Sequence, residues 1–231
     1  MKENKYDDSR FFNQYSKMTR SVEGLQGAGE WHILQKMLPD FTGKRVLDLG
    51  CGFGWHCIYI IKHGANHVTG IDISEKMLEE ARKRNPSPQI EYKCVAIEDF
   101  DYRPNSYDIV ISSLTFHYLE SFVDICRKIN KCLTKGGSFV FSVEHPIFTA
   151  YGNQEWCYDS EGRRIHWPVD RYFAEGKRVA VFLGEEIFKY HKTLTTYING
   201  LLQTGFEICE LIEPQPVSYT HLRAHETVLD L

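Results

Sequence analysis

No stretch of this chain approaches the ~18 continuous apolar residues of a membrane-spanning helix. The first residues, MKENKYDDSRFFNQY, lack the apolar centre of a secretory signal. The expectation is a cytoplasmic protein that contacts no membrane. Excess charge of one sign is also lacking. Against 31 Asp and Glu stand 27 Lys and Arg, a formal −4, which argues against a chain-wide grip on nucleic acid. The seven cysteines include no C-x-x-C pair, and the ten histidines no H-E-x-x-H. A zinc knuckle, a thioredoxin-type pair and a zincin site are therefore unsupported. The cysteines are odd in number and scattered, and read as reduced, mostly buried thiols. His56 and His63 lie seven apart on one presumed helix with His67 beyond it, so no metal site is expected.

What is present is an ordinary globular composition, 42% hydrophobic and 25% charged, over 231 residues. Residues 44–143 alternate between short β-branched or aromatic runs and longer helical patterns. Strands are expected at 45–49, 67–71, 90–95, 107–111 and 138–143. Helices are expected at 55–63, at 74–84 with Ser74 as N-cap, and at 118–133, stopped by Gly136-Gly137. Such alternation implies an α/β fold, doubly wound, with a parallel sheet between helices. A helix 193–204 and a strand 206–212 follow later. Residues 144–192 interrupt the pattern and are rich in aromatics, among them Trp156, Trp167, Tyr172, Phe182, Phe188 and Tyr190. A structureless loop of that length is unusual, so this segment is expected to fold locally and cover something.

The most informative stretch is Asp48-Leu49-Gly50-Cys51-Gly52-Phe53-Gly54, where a strand runs into a glycine loop and then a helix. Gly50 permits a tight turn, and Gly52 lets a ligand approach the backbone. A dinucleotide fingerprint places its third glycine at 55; here that residue is Trp55, and Gly54 comes one position early. Asp48 adds negative charge where a pyrophosphate would lie. A nucleoside cofactor without phosphate and with a cationic amino group suits this loop better. Asp72 ends the second strand 22 residues after Gly50, the spacing of an acid that accepts from ribose hydroxyls.

These residues resemble the class I S-adenosylmethionine-dependent methyltransferases: D-x-G-x-G-x-G after strand one and an acid after strand two. The resemblance continues through Val95-Ala96-Ile97-Glu98-Asp99-Phe100, through Tyr107 to Leu119, and through Gly136-Gly137-Ser138-Phe139-Val140-Phe141. The N-terminal Tyr15 to Ser21 and Glu144-His145-Pro146-Ile147-Phe148 are similar to a bacterial subgroup with small-molecule-type acceptors. The resemblance implies a Rossmann-like sheet of order 3-2-1-4-5-7-6 and S-adenosyl-L-methionine as cofactor. It implies cofactor contacts from Tyr15, Arg20, Asp48, Gly50, Cys51, Gly52, Gly54, Asp72, Ile73, Met77, Ile97, Glu98, Ser112, Ser113 and His117. Where the family often has Asp to meet adenine, this chain has Ala96, which leaves that contact to the backbone near Ile97 and to Glu98. His145 and Glu144, just past strand five, are the candidate general bases for a small-molecule methyl acceptor. No N-P-P-Y-type run follows strand four, where Ser112-Ser113-Leu114-Thr115 stands, which argues against nucleic-acid bases. A non-catalytic cofactor-binding scaffold, an NAD-dependent oxidoreductase and a macromolecular acceptor remain as alternatives.

The organisation expected is an N-terminal helical cap at 1–42, the cofactor-binding core at 43–145 and an aromatic substrate-side insertion at 146–192. The last helix and strand of the core then take 193–216. Residues 217–231 resemble a translated sequencing-adapter read-through. That resemblance implies a non-native tail that packs poorly and a sheet lacking its last strand.

Overall fold

The structure is a computed structural model describing residues 4–151, 155–214 and the strand at 226–230. The N-terminal segment folds as α1 (Ser9–Tyr15), α2 (Thr19–Val22) and α3 (Trp31–Met37). The Asp8 side chain caps α1, accepting from the amides of Arg10 and Phe11. Then come β1 (Arg45–Leu49), α4 (Trp55–Lys62), β2 (His67–Asp72), α5 (Glu75–Arg84), β3 (Ile90–Cys94) and β4 (Tyr107–Ser113). Next are α6 (Phe122–Cys132), β5 (Leu133–Glu144) and α7 (Pro146–Ala150). Two hairpins follow, β6 (Cys157–Tyr158) with β7 (Arg164–His166) and β8 (Gly176–Phe182) with β9 (Glu185–His191). The chain continues through α8 (Leu194–Gln203), β10 (Glu210–Ile212) and β11 (Glu226–Asp230).

Seven strands form one sheet in the order β10-β11-β5-β4-β1-β2-β3. The five from β5 to β3 are parallel, and β11 lies antiparallel between β5 and β10. This is the expected 3-2-1-4-5-7-6 arrangement, and it corrects the expectation of a missing last strand. The outer edge of β5 carries Val140 to Val143, all buried, and such an edge must find hydrogen-bond partners. Residues 226–230 supply them, pairing Glu226 with Glu144 and Asp230 with Val140. Thr227-Val228-Leu229 is a run that favours extended backbone. The expectation of poor packing for 217–225 lies outside the described residues.

Alternation along β1 sends side chains to two cores, as a sheet covered on both faces requires. Leu47 and Leu49 join Val110, Phe139 and Phe141 under α6 and α8. Val46 joins Val68, Ile109 and Ile111 under α4 and α5. The Ser74 hydroxyl accepts from the Met77 amide and starts α5 as expected. Gly136-Gly137 does not stop α6; the helix ends at Cys132 and β5 begins at once. The glycines instead lie within β5, where pairing jumps from Tyr107–Leu133 to Ile109–Ser138. A Cβ on Gly137 would lie 2.8 Å from the Asp108 carbonyl oxygen, so the irregularity needs glycine there.

The aromatic insertion folds locally, as its length required. Its β8–β9 hairpin crosses back over the carboxyl ends of the sheet strands. Phe11 of α1 packs with Ala180 and Ile187 of the hairpin, against Tyr6, Tyr118 and Phe182. Glu185 at the hairpin turn pairs with Arg10, and with Lys5 at 3.9 Å. The N-terminal segment and the hairpin thus meet and roof a single space.

A roofed cavity at the strand ends

That space is a cavity of about 700 Å³ at the carboxyl ends of β1, β2, β4 and β5. This is where a parallel sheet places its ligands. The glycine loop forms its floor. Gly50 and Cys51 both donate their amides to the Ile71 carbonyl at 2.9 Å, which ties the loop to the end of β2. Gly50 has φ +77°, and a Cβ there would lie 2.4 Å from Thr115 Oγ1. Gly52 has φ +52°, and its missing side chain leaves only Met77 Cε near, at 3.4 Å. A ligand can therefore approach its backbone.

Asp72 lies between loop and helix. Its Oδ2 accepts from the Gly52 amide and its Oδ1 from the Ser74 amide, each at 2.9 Å. A carboxylate offers about four lone-pair sites, more than these amides use, so acceptor capacity remains for a ligand in the cavity. Burial pushes its pKa up to about 6, and the backbone amides of Ser74, Gly52 and Ile73 work against that rise.

At the other end of the loop the wall is built by the N-terminal segment. The Arg20 guanidinium donates to Glu30 Oε1 at 2.6 Å, and Ser113 Oγ donates to the same oxygen at 3.0 Å. Glu30 is buried, with 1% of its surface exposed. Near it, Trp55 Nε1, His56 Nε2 and Ser21 Oγ are buried and lack a hydrogen-bond partner among the described residues. All three residues line the cavity. Burial holds the His56 pKa down to about 4, so its ring is neutral at pH 7.

The opposite side of the cavity lies beneath the hairpin. Phe182, Ile187, Phe188 and Tyr190 line it together with Tyr6 and Tyr118, whose hydroxyls are 3.4 Å apart. Glu144, the last residue of β5, also lines it. Lys189 Nζ donates to Glu144 Oε1 at 2.5 Å and Oε2 at 2.7 Å. The Glu144 amide donates to His117 Nδ1 at 3.4 Å, and burial drives the His117 pKa down to about 3.

Thirteen expected site residues converge here: Tyr15, Arg20, Gly50, Cys51, Gly52, Asp72, Ile73, Met77, Ile97, Glu98, Ser113, His117 and Glu144. Four do not line the cavity. Asp48 lies beneath the loop, accepts from Cys57 Sγ at 3.2 Å, and is pushed by burial to about 7. Gly54 precedes α4 with φ +73°, where a Cβ would collide with the Tyr92 hydroxyl. Ser112 Oγ donates to the Leu49 carbonyl at 2.7 Å and ties β4 to β1. His145 caps α7 through Nδ1, accepting from the Ile147 amide, while its Nε2 meets Glu213. Its ring serves a helix start rather than the cavity. Cys51 does line the cavity, but burial raises its thiol to about 11, which leaves it un-ionised at neutral pH. Among the described residues no cluster of three or more His, Cys, Asp or Glu could hold a metal, and no helix is long and apolar enough to cross a membrane.

Comparison with known proteins agrees with this geometry. The Methyltransferase domain family matches residues 47–141. A solved structure from Listeria monocytogenes, assigned to the S-adenosylmethionine-dependent methyltransferases, is 53% identical, with a TM-score of 0.83. It covers 87% of this chain and 96% of its own. An S-adenosylmethionine-dependent methyltransferase from Mesorhizobium loti is 39% identical with a TM-score of 0.81, over 90% of this chain and 99% of its own. An uncharacterized protein of Haemophilus influenzae is 34% identical over 216 residues, 90% of this chain and 85% of that protein. The glycine loop, the strand order and these relatives lead to one conclusion: the chain belongs to the S-adenosylmethionine-dependent methyltransferases, with S-adenosylmethionine as its cofactor.

Proposed function

We propose that the protein transfers a methyl group from S-adenosylmethionine to a small-molecule acceptor held beneath the β8–β9 hairpin. The observation that carries this reading is the roof. The N-terminal segment and the hairpin close over about 700 Å³, in the range of small-ligand sites and with room for a nucleoside cofactor beside a compact acceptor. A roofed chamber with aromatic walls suits a small molecule better than a nucleic-acid strand, and the −4 charge points the same way.

The residues present fit the cofactor. Asp72 has acceptor capacity for the ribose hydroxyls after its two backbone bonds. Gly50 and Gly52 bare the loop backbone. Ala96, Ile97 and Glu98 border the side where adenine would lie. Arg20, fixed by Glu30, offers a carboxylate a guanidinium, with Tyr15 beside it. The partnerless polar atoms of Ser21, Trp55 and His56 fit a wall that meets a polar ligand end.

Bound there, S-adenosylmethionine supplies a methyl group activated on a sulfonium. The chain's own work is positioning and water exclusion. The cavity would hold a hydroxyl or amine acceptor with its lone pair facing that methyl group and the sulfur as leaving group. The acceptor's proton leaves to Glu144, the carboxylate on that wall. His145, outside the cavity, is left with its structural role.

The test has two stages. Calorimetry should show one cofactor bound per chain. Methyl-labelled cofactor is then incubated with a small-metabolite extract and, separately, with RNA and protein fractions. Label in the small-molecule fraction is expected, and label confined to RNA or protein would overturn the acceptor reading.

A further inference from the structure

Burial alternates along β9, so that Ile187, Lys189 and His191 face inward with 4%, 3% and 0% of their surfaces exposed. Two of these need no special account. Ile187 packs in the roof cluster, and His191 is pinned by Thr149 Oγ1 and the Tyr172 carbonyl, both at 2.8 Å. Lys189 is different. An ammonium taken out of water is costly, and an apolar side chain would serve packing as well or better. Its Nζ instead reaches both oxygens of Glu144, 45 residues back in the chain and across from hairpin to sheet.

Glu144 in turn faces the cavity, with 19% of its side chain exposed. The Glu144 amide donates to His117 Nδ1, which puts the neutral ring's proton on Nε2, 3.9 Å from Glu144 Oε1. His117 therefore offers the carboxylate a neutral N–H rather than a second cation. Tyr118, Phe188 and Tyr190 line the same cavity.

We propose that Lys189 is a positioning residue. Delivered by the hairpin, it clamps both oxygens of Glu144 and aims that carboxylate at the acceptor. The acceptor class that fits is a flat or apolar body carrying a hydrogen-donating head, a hydroxyl or an amine. An acceptor presenting its own carboxylate at this spot would meet Glu144 charge to charge. This inference rests on the methyl-transfer reading, and its test separates the two.

The probes are phenol and benzoate, one ring with a donor or an anion, titrated by NMR into protein saturated with S-adenosylhomocysteine. Failure of S-adenosylhomocysteine to bind would sink the methyl-transfer reading itself. With it bound, wild type should prefer phenol at least about tenfold. Lys189→Met should lose about tenfold in phenol affinity, while Lys189→Arg stays within about threefold of wild type. Glu144→Gln should erase the preference, and it carries the test if Lys189→Met does not fold. A second readout is the His117 ring. Besides Lys189, the charges facing it are Glu144 on β5, Lys192 after β9 and Arg20 on α2. Removing the Lys189 cation leaves Glu144 less compensated, so His117 in Lys189→Met should protonate about one pH unit or more higher than in wild type, and Lys189→Arg should reverse this. Equal binding of phenol and benzoate by wild type, or a folded Lys189→Met with wild-type phenol affinity and His117 titration, would overturn the proposal.

Discussion

Asp72→Asn tests the cofactor site at its most loaded point. The wild-type carboxylate does two jobs at once. It accepts the Gly52 and Ser74 amides, each at 2.9 Å, and it keeps lone pairs for a ligand. Asparagine has one acceptor oxygen, so it can satisfy one amide and must turn donor hydrogens toward the other. A hydrogen bond to a charged group contributes about 1.5–3 kcal/mol. Losing one or two such bonds to ribose gives roughly 1.5–6 kcal/mol, or at least about tenfold in Kd at ~1.4 kcal/mol per tenfold. The pH dependence gives an independent arm. In the free protein burial places the Asp72 pKa at about 6. Hydroxyl donors favour the ionised form, so ligand binding pulls that pKa down. Wild-type Kd should therefore rise as pH falls through about 6, by up to about tenfold per unit. In Asp72→Asn this dependence should vanish. Calorimetry with S-adenosylhomocysteine between pH 5 and 8 measures both, and melting of the ligand-free variant reports the separate folding cost. A variant that binds within about threefold of wild type at pH 7.5, with the same pH profile, refutes the ribose assignment.

Three further outcomes follow from buried groups and from the sheet. Burial raises Asp48 to about 7 and Asp72 to about 6, and lowers His56 to about 4 and His117 to about 3. The two raised carboxylates take up protons in the folded state first, so they add stability as pH falls from about 7 toward 4. The two depressed histidines take up protons in the unfolded state first, so they remove stability as pH falls below about 6.5. Between pH 4 and 6 the two pairs therefore oppose one another. His117→Gln should tilt this balance, gaining stability relative to wild type on acidification; parallel profiles for the two in calorimetric melts would contradict this. Gly50→Ala places a Cβ 2.4 Å from Thr115 Oγ1 at φ +77°. The left-handed backbone alone costs roughly 1–2 kcal/mol, about 2–8 °C in a domain of this size, and the displaced loop should abolish cofactor binding. Unchanged binding would show that the loop tolerates a side chain there. Finally, ending the chain at residue 216 removes β11 and unpairs residues 140–144 of β5. Aggregation or a marked fall in melting temperature is expected, and a fully stable fragment would show that β11 contributes nothing to the sheet.

The parts of the fold legible in the sequence are those whose cause is local. Strand β1 has its expected bounds because Val46-Leu47-Asp48-Leu49 runs straight into glycines that must turn. Helix α5 announces its start through Ser74, whose capping bond spans three residues. Gly136-Gly137 misleads for the opposite reason. A glycine pair reads locally as a helix stop, yet its use here is set by Asp108, a residue of the neighbouring strand that needs the space. The last strand shows the same limit. Residues 226–230 carry no family signature, but the slot beside β5 asks mainly for extended backbone, since a strand ladder is made of N–H and C=O groups that every residue but proline supplies.

The site divides along the same line. Gly50, Gly52 and Asp72 are legible because loop geometry and a spacing of about 20 residues define their chemistry. Asp48 and Ser112 differ from expectation by one step of strand alternation: they sit at the strand ends, but their side chains turn beneath the loop, toward Cys57 and the Leu49 carbonyl. Glu30 and Lys189 escape a reading of local pattern because each acquires its meaning from a distant partner, Ser113 for one and Glu144 for the other. Lys189 does leave a trace. The run Ile187-Phe188-Lys189-Tyr190-His191 alternates, and Ile187 on the inner face places Lys189 inward as well. A lysine forced inward by strand period must meet a carboxylate or lose its charge. Applied to the alternation of β9, that rule asks for a carboxylate partner, and the fold supplies it as Glu144 at the end of β5.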